Sequence, residues 1–312
     1  MRLTRSRKVR YCSAAVAVIA AAAVWLYLES STIEVREIGI PMPELAAADD
    51  GFSVALVSDQ HFGPHDRGRA RRIAATVNAL DPDVILLLGD HVNGSPDPRR
   101  SIAMSELTEF VRLLRARHGV FAVTGNHELW YGRHKVVSAL EAGGADIITG
   151  QLRRIPLPSG GTLQIVGLPD RRTERKRPLP AADARQPLLI AMHDPNSVVN
   201  LPEGYRRGFS VAGHTHGGQL RLYPGAGGRS WRQVFRYLSL KLGLARREDN
   251  EPIVFFDRGP TDYHGHKLYI TSGLGTARLN VRMFCRAEIA LLKLRSSPDR
   301  AETNFIKPLE IP

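Results

Sequence analysis

The chain has 312 residues, of which 43% are hydrophobic and 24% charged, the balance of a globular protein. That excludes a disordered or collagen-like chain and a protein built mainly of membrane spans. The net charge of +12, from 43 Lys+Arg against 31 Asp+Glu, favours anionic partners: lipid headgroups, nucleic acid or phosphorylated metabolites. Cys12 and Cys285, far apart in the chain, allow neither a disulfide scaffold nor a cysteine-only metal site.

The first ten residues carry five positive charges (Arg2, Arg5, Arg7, Lys8, Arg10) and no acid. Residues 11–28, YCSAAVAVIAAAAVWLYL, then form an apolar run in which Ser13 is the one clearly polar residue. As a helix it is about 27 Å long, close to the hydrocarbon core of a bilayer. Trp25 and Tyr27 lie near its outer end, where amphipathic rings sit at the interface. The charge asymmetry predicts a cytoplasmic N-terminus and a body across the membrane. A cleaved signal peptide competes with this reading, but Trp25-Leu26-Tyr27-Leu28-Glu29 is bulky and offers no small-x-small cleavage site. The expectation is a basic segment and retained anchor over 1–30, a linker and lead-in strand over 31–50, and one body over 51–312.

Within that body, 52–57 reads as a strand ending in Asp59-Gln60-His61, and 69–80 as a helix with Ile73, Val77 and Leu80 on one face. A turn at Asp81-Pro82-Asp83 leads to a buried strand over 84–88 that ends at Gly89-Asp90. A helix over 105–117, a strand over 119–123 ending in Thr124-Gly125-Asn126-His127, and a helix over 134–142 follow. The second half is richer in strands: 162–168, 188–192, 209–212, 219–222, 267–271 and 287–294. This alternation is the rhythm of an α/β fold. No linker divides it, and no internal repeat is evident.

Five short blocks stand at the ends of apolar runs, where open α/β sheets place their sites. They are Asp59-Gln60-His61, Gly89-Asp90-His91, Gly125-Asn126-His127-Glu128, Met192-His193-Asp194 and Gly213-His214-Thr215-His216-Gly217-Gly218. A single histidine in a loop is usually a surface residue. Five blocks together concentrate carboxylate, amide and imidazole donors in the numbers that two neighbouring metal ions need. Gln60 and His91, beside these donors, either touch the substrate or, as is commoner at such positions, are loop spacers.

In this order the blocks resemble the DxH, GDxx, GNH(D/E), isolated His and GHxH motifs of calcineurin-like metallophosphoesterases. The match continues through Tyr269-Ile270-Thr271-Ser272-Gly273-Leu274-Gly275 and Ala287-Glu288-Ile289. The form Gly213-His214-Thr215-His216-Gly217-Gly218-Gln219 resembles a bacterial membrane-associated branch that includes phosphodiesterases and a UDP-2,3-diacylglucosamine pyrophosphatase of lipid A synthesis. The resemblance implies a four-layer α-β-β-α sandwich, here behind an N-terminal transmembrane helix. It also implies two divalent metals: Asp59, His61 and His216 on one, Asn126, His193 and His214 on the other, and Asp90 between them. His127 is then the non-ligand histidine beside the scissile phosphate, and a water between the metals is activated for in-line attack. Glu128 and Asp194 are candidate acceptors that fix the tautomers of the ligand histidines, or else solvated loop carboxylates. The donor set, without thiolate, fits Mn, Fe or Zn, and the resemblance favours Mn.

After the last histidine block, residues 229–247 carry six basic residues, and Trp231, Val234, Phe235, Leu238 and Leu242 recur at helical spacing. This is an amphipathic helix with Arg232 and Arg236 on its polar side. It either lies in lipid headgroups, with Trp231, Phe235 and Leu238 in contact, or packs on the body with its arginines in water. Trp130 and Tyr131 are an apolar wall of the site or part of the core. An anchored enzyme with a basic, apolar lip points to the bilayer and to a phosphorylated lipid or similar amphiphile as partners. The localisation expected is a bacterial inner membrane, crossed once, with the body on the periplasmic or extracellular side and association with the cytoplasmic face as the alternative. UDP-2,3-diacylglucosamine, a cytoplasmic lipid, conflicts with the former orientation. A nuclease and a protein phosphatase are the alternatives within the superfamily, although no dedicated nucleic-acid module is present. A non-catalytic scaffold should have lost ligands, and none is missing.

Overall fold

The computed structural model describes residues 5–95, 97–170, 178–223, 231–242, 253–276, 280–297 and 303–311. Its first half comprises helix α1 (Arg5–Ser31), strands β1 (Ile33–Pro41) and β2 (Ser53–Val57), helix α2 (Arg67–Ala79), strand β3 (Val84–Leu87), helix α3 (Met104–Leu113), strand β4 (Val120–Ala122), helices α4 (Asn126–Tyr131) and α5 (Arg133–Ala142), and strand β5 (Ala145–Ile147). Strands β6 (Leu152–Pro156), β7 (Thr162–Gly167), β8 (Leu188–Ala191) and β9 (Phe209–Ala212) follow, then helix α6 (Trp231–Lys241). Strands β10 (Ile253–Phe255), β11 (Gly259–Tyr263), β12 (His266–Ile270), β13 (Ala287–Arg295) and β14 (Leu309–Ile311) complete the chain.

The strands build two six-stranded sheets, in the orders β1-β13-β2-β3-β4-β5 and β11-β12-β9-β8-β7-β6, with β10 and β14 paired separately. β2 to β5 run parallel, as do β7, β8, β9 and β12. Side chains alternate across each strand, so each sheet has two buried faces. Val54, Leu56, Leu86 and Leu88 meet Leu163, Ile165, Leu189 and Val211 between the sheets. On the outer face of the first sheet, Ala55, Val57, Ile85 and Leu87 pack under Ile73 and Val77 of α2, Leu107 and Phe110 of α3, and Val136 and Leu140 of α5. The second sheet turns Val166, Ile190 and Leu268 towards Val198, Leu201 and Tyr205, which sit in or beside short 3-10 turns. The fold is therefore the expected sandwich, with 3-10 turns among the described residues forming the layer outside the second sheet. Each large aliphatic side chain buried in these layers contributes about 1.5–3 kcal/mol.

Most expected elements fall within a few residues of their places. The helix expected to reach residue 117 stops at Leu113, where Leu114 turns to an extended backbone. Residues 219–222 are not a strand: Leu220 makes only an isolated bridge to Met283 after a 3-10 turn. The lead-in strand β1 pairs with β13 along its whole length as an edge of the first sheet. α4, β5 and β6 carry too few residues to show a period. Among the described residues, α1 is one helix long and apolar enough to cross a membrane, over residues Ser13–Ser31.

Candidate metal centre

The polar blocks leave the C-terminal ends of neighbouring parallel strands. β2 is followed by Asp59 and His61, β3 by Asp90, β4 by Asn126 and His127, β8 by His193, and β9 by His214 and His216. Residues 155 positions apart in the chain thereby meet, with His61 Nε2 3.0 Å from His216 Nε2. Asp59, His61, Asp90, His214 and His216 all have positive φ, between 46° and 67°. Non-glycine residues held there cost of order 1–3 kcal/mol each, strain that persists where the surroundings over-determine it. Here it folds each strand end back so that its donor faces inward. Gly125, extended at φ −105°, is needed for space instead: a methyl there would lie 2.4 Å from Asp90 Oδ1 and 2.8 Å from the His193 ring.

Three overlapping sets of donors lie within 4.8 Å of one another: Asp59, His61 and His216; His61, Asp90 and His127; and Asp90, His193 and His214. Asp90 joins the last two, with Oδ2 3.6 Å from His61 Nε2, 3.2 Å from His193 Nε2 and 3.8 Å from His127 Nε2. Asn126 Oδ1 is 3.2 Å from His193 Nε2, and His214 Nδ1 is 3.1 Å from the same atom. The tautomers decide what this convergence means. His193 Nδ1 faces the Leu88 carbonyl at 2.8 Å and His216 Nδ1 the Gly275 carbonyl at 3.3 Å, so each donates there and turns its Nε2 inward. His193 Nε2, Asn126 Oδ1 and Asp90 Oδ2 then converge on one another, an arrangement that needs a positive charge between them, either a proton on His193 or a metal ion. The mixed N/O donor set fits a divalent ion.

The acidities agree. Burial lowers His61 to about 3 and His216 to about 4, and lowers His214, so these imidazoles are neutral and able to ligate. Burial alone would raise the Asp90 carboxyl, yet the imidazoles around it, His193 first, hold it well below the usual range; Asp59 is lowered likewise, His216 leading. His193 runs the other way. Burial would lower it, but Asp90 foremost raises it well above the ordinary histidine value, a proton standing where a cation would bind.

All eight expected catalytic and ligand residues are thus brought together. His127 is partly open, its ring meeting His61 at 4.3 Å and Trp130 at 4.7 Å between centroids. Trp130 is exposed beside it, an apolar wall, whereas Tyr131 packs on the core. The acceptors that face the His193 and His216 rings are backbone carbonyls, and Glu128 and Asp194 are seen in other contacts. Glu128 instead accepts from the backbone N–H groups of Gly125 (2.7 Å), Asp90 (2.9 Å) and His91 (2.8 Å), tying two ligand loops together. Asp194 caps the turn after β8, accepting from Asn196 N at 2.9 Å. Gln60 and His91 are buried and bonded to each other at 3.0 Å. α6 forms as expected and leaves Trp231, Phe235 and Leu238 exposed; the side chains of Arg232 and Arg236 lie outside the described residues.

The sequence profile of the calcineurin-like phosphoesterases matches residues 52–218, the span that holds every one of these donors. The chain belongs to that family. It is similar to metallophosphoesterase YkuE of Bacillus subtilis, 25% identical over 276 residues, which is 87% of this chain and 88% of that protein. It is 29% identical over 217 residues to phosphodiesterase YaeI of Escherichia coli, covering 68% of this chain and 70% of the relative. A Danio rerio transmembrane protein with a metallophosphoesterase domain is 25% identical over 202 residues, 60% of this chain and 45% of its own length. The protein is therefore a metal-dependent phosphoester hydrolase with a divalent metal site.

Proposed function

We propose that this phosphoesterase cleaves a phosphodiester or pyrophosphate bond of an amphiphilic substrate at a membrane. In this reading Asp59, His61 and His216 hold one divalent ion, Asn126, His193 and His214 a second, and Asp90 is shared. The observation that carries it is the convergence of imidazole, amide and carboxylate ligand atoms on both sides of Asp90 Oδ2. Bound divalent ions, manganese in the first instance, supply an acidified water and positive charge for the phosphoryl oxygens.

The chain's own residues do the rest. His127 Nδ1 faces the Asn93 carbonyl at 2.6 Å and donates to it, so Nε2 is the atom that exchanges a proton with the leaving group. Gly94 lies against that ring, where a methyl would come within 2.4 Å of Nδ1, and keeps it in place. His127 N also donates to Asp90 Oδ1 at 2.9 Å, fixing the proton-transfer residue to the shared carboxylate.

Three features support the amphiphilic part of the reading. α1 is long and apolar enough to span a bilayer; α6 exposes Trp231, Phe235 and Leu238 next to the turn that bears His216; and the chain is strongly basic. The E. coli relative's name, a phosphodiesterase, favours a diester over a monoester. The charge pattern around α1 supports a reading with the body on the periplasmic side of an inner membrane.

The test uses the full chain in detergent micelles with Mn²⁺, assayed on UDP-2,3-diacylglucosamine, as an amphiphilic pyrophosphate, and on a soluble phosphodiester, with Asn126→Ala as control. Turnover of the amphiphile that disappears in the control supports the whole reading. Cleavage of the soluble diester alone removes this lipid as substrate and leaves the site. Activity unchanged by Asn126→Ala overturns the site itself.

A further inference from the structure

α1 does not end in solvent; its last two turns dock onto the body. The Trp25 ring lies 5.0 Å from that of Phe284, Glu29 accepts from Arg286 Nε at 3.1 Å, and Ser30 Oγ accepts from the Arg282 backbone N–H at 2.7 Å. All three contacts fall on residues 282–286. Glu29 is buried by this docking.

The same segment carries a fully buried guanidinium. Arg282 Nη2 donates to the carbonyls of Ser272 (3.0 Å), Gly273 (3.1 Å) and Gly275, and Nη1 to those of Cys285 (3.2 Å), Arg286 (3.3 Å) and His216 (3.4 Å). A buried charge is costly without partners, and Arg221, also fully buried, takes the ordinary solution of an ion pair with Asp257. Arg282 gathers carbonyls from three backbone segments instead, and those segments frame one half of the metal centre. Gly275 O is the acceptor that sets the His216 tautomer. Gly273 is pressed on Asp59, where a methyl would sit 2.7 Å from its Cβ. Cys285 Sγ lies 3.3 Å from the His216 carbonyl and closes the same wall.

We infer that Arg282 is a positioning residue for the Asp59–His61–His216 half of the metal centre, and that the foot of α1 holds it in register, so the N-terminal helix clamps the site as well as carrying the chain. This rests on the ligand role proposed above for His216. The planar guanidinium spreads its donors over separate nitrogens and so reaches carbonyls on both sides, whereas a lysine ammonium has three donors on one nitrogen.

The experiment compares Trp25→Ala/Ser30→Ala, Arg282→Lys and His216→Ala with the parent chain, all full length in detergent. Mn²⁺ affinity is measured by chelator competition, and the unfolding temperature is recorded with and without metal. Groups behind metal ligands change metal affinity by about 10–100-fold. The expected result is a loss of that size at one metal in both the foot variant and Arg282→Lys. The metal-induced rise in unfolding temperature should shrink towards that of His216→Ala, while the metal-free foot variant melts as the parent does. Parental Mn²⁺ affinity in the foot variant overturns the clamp. A lower metal-free unfolding temperature with parental affinity in Arg282→Lys makes that residue merely structural and overturns its role. If Arg282→Lys does not fold, the foot variant decides. Full metal affinity in His216→Ala would remove the ligand reading itself, whereas loss confined to His216→Ala removes this inference alone.

Discussion

Replacing Glu128 by Gln tests how the two ligand loops are tied. The carboxylate accepts three backbone N–H groups: Oε2 takes those of Asp90 and Gly125, and Oε1 that of His91. A glutamine has one oxygen, and its better placement serves the two donors at the Oε2 position. Its NH₂ then faces the His91 N–H, donor against donor, in a buried place. Hydrogen bonds to a charged group contribute about 1.5–3 kcal/mol each, and a stranded buried donor costs about 1–3 kcal/mol. The expected destabilisation is about 3 kcal/mol, allowing for relaxation of the loop. For a domain of this size that is a fall of about 6–12 °C in unfolding temperature. Because the loops carry Asp90 and Asn126, Mn²⁺ affinity should fall with it. The assay is thermal unfolding of the full chain with and without Mn²⁺. An unfolding temperature within about 1 °C of the parent, with metal affinity intact, would refute the tie.

Other outcomes follow from the same geometry. Gly125→Ala, in a backbone conformation open to alanine, should leave the metal-free fold intact and lower metal affinity by about a hundredfold, because its methyl displaces Asp90 and His193; calorimetric metal titration reads this. His127→Ala should keep its metals while kcat falls about 10²–10⁴-fold, with the loss smallest for substrates whose leaving group needs no proton. The metal-free protein should lose stability on acidification. His61 and His216, lowered by burial from 6.5 to about 3 and about 4, stay neutral in the fold while the unfolded chain takes up protons below pH 6.5. His214, also lowered, adds to this loss, and Asp59 and Asp90 extend it below pH 4; His193, raised, opposes it with stability that is present below 6.5 and lost as pH rises. A chelated sample whose unfolding temperature does not drop between pH 6.5 and 4 would contradict that balance. Phe235→Ser should lower kcat/KM for the amphiphilic substrate about tenfold relative to a soluble diester, since burying such a ring contributes about 1.5–3 kcal/mol.

The identity of the donors was legible in the sequence because it is local. A short apolar run ending in Asp-x-His or Gly-Asn-His marks a strand end, and the parallel order of β2, β3 and β4 brings such ends together whatever the loops between them do. α1 was legible for the same reason, since an apolar run of eighteen residues with one polar member needs no tertiary partner to be recognised. The strand expected over 219–222 failed because an apolar alternation across four residues says nothing about whether a neighbouring strand is there to pair with. What only the tertiary structure decided is how the donors are aimed. The groups that fix the tautomers of His193 and His216 are the carbonyls of Leu88 and Gly275, and the groups gathered by Glu128 and Arg282 are also main chain. Every residue has a backbone carbonyl and nearly every one an N–H, so these partners leave no mark on the sequence; only the folded path of the chain selects which of them face the site.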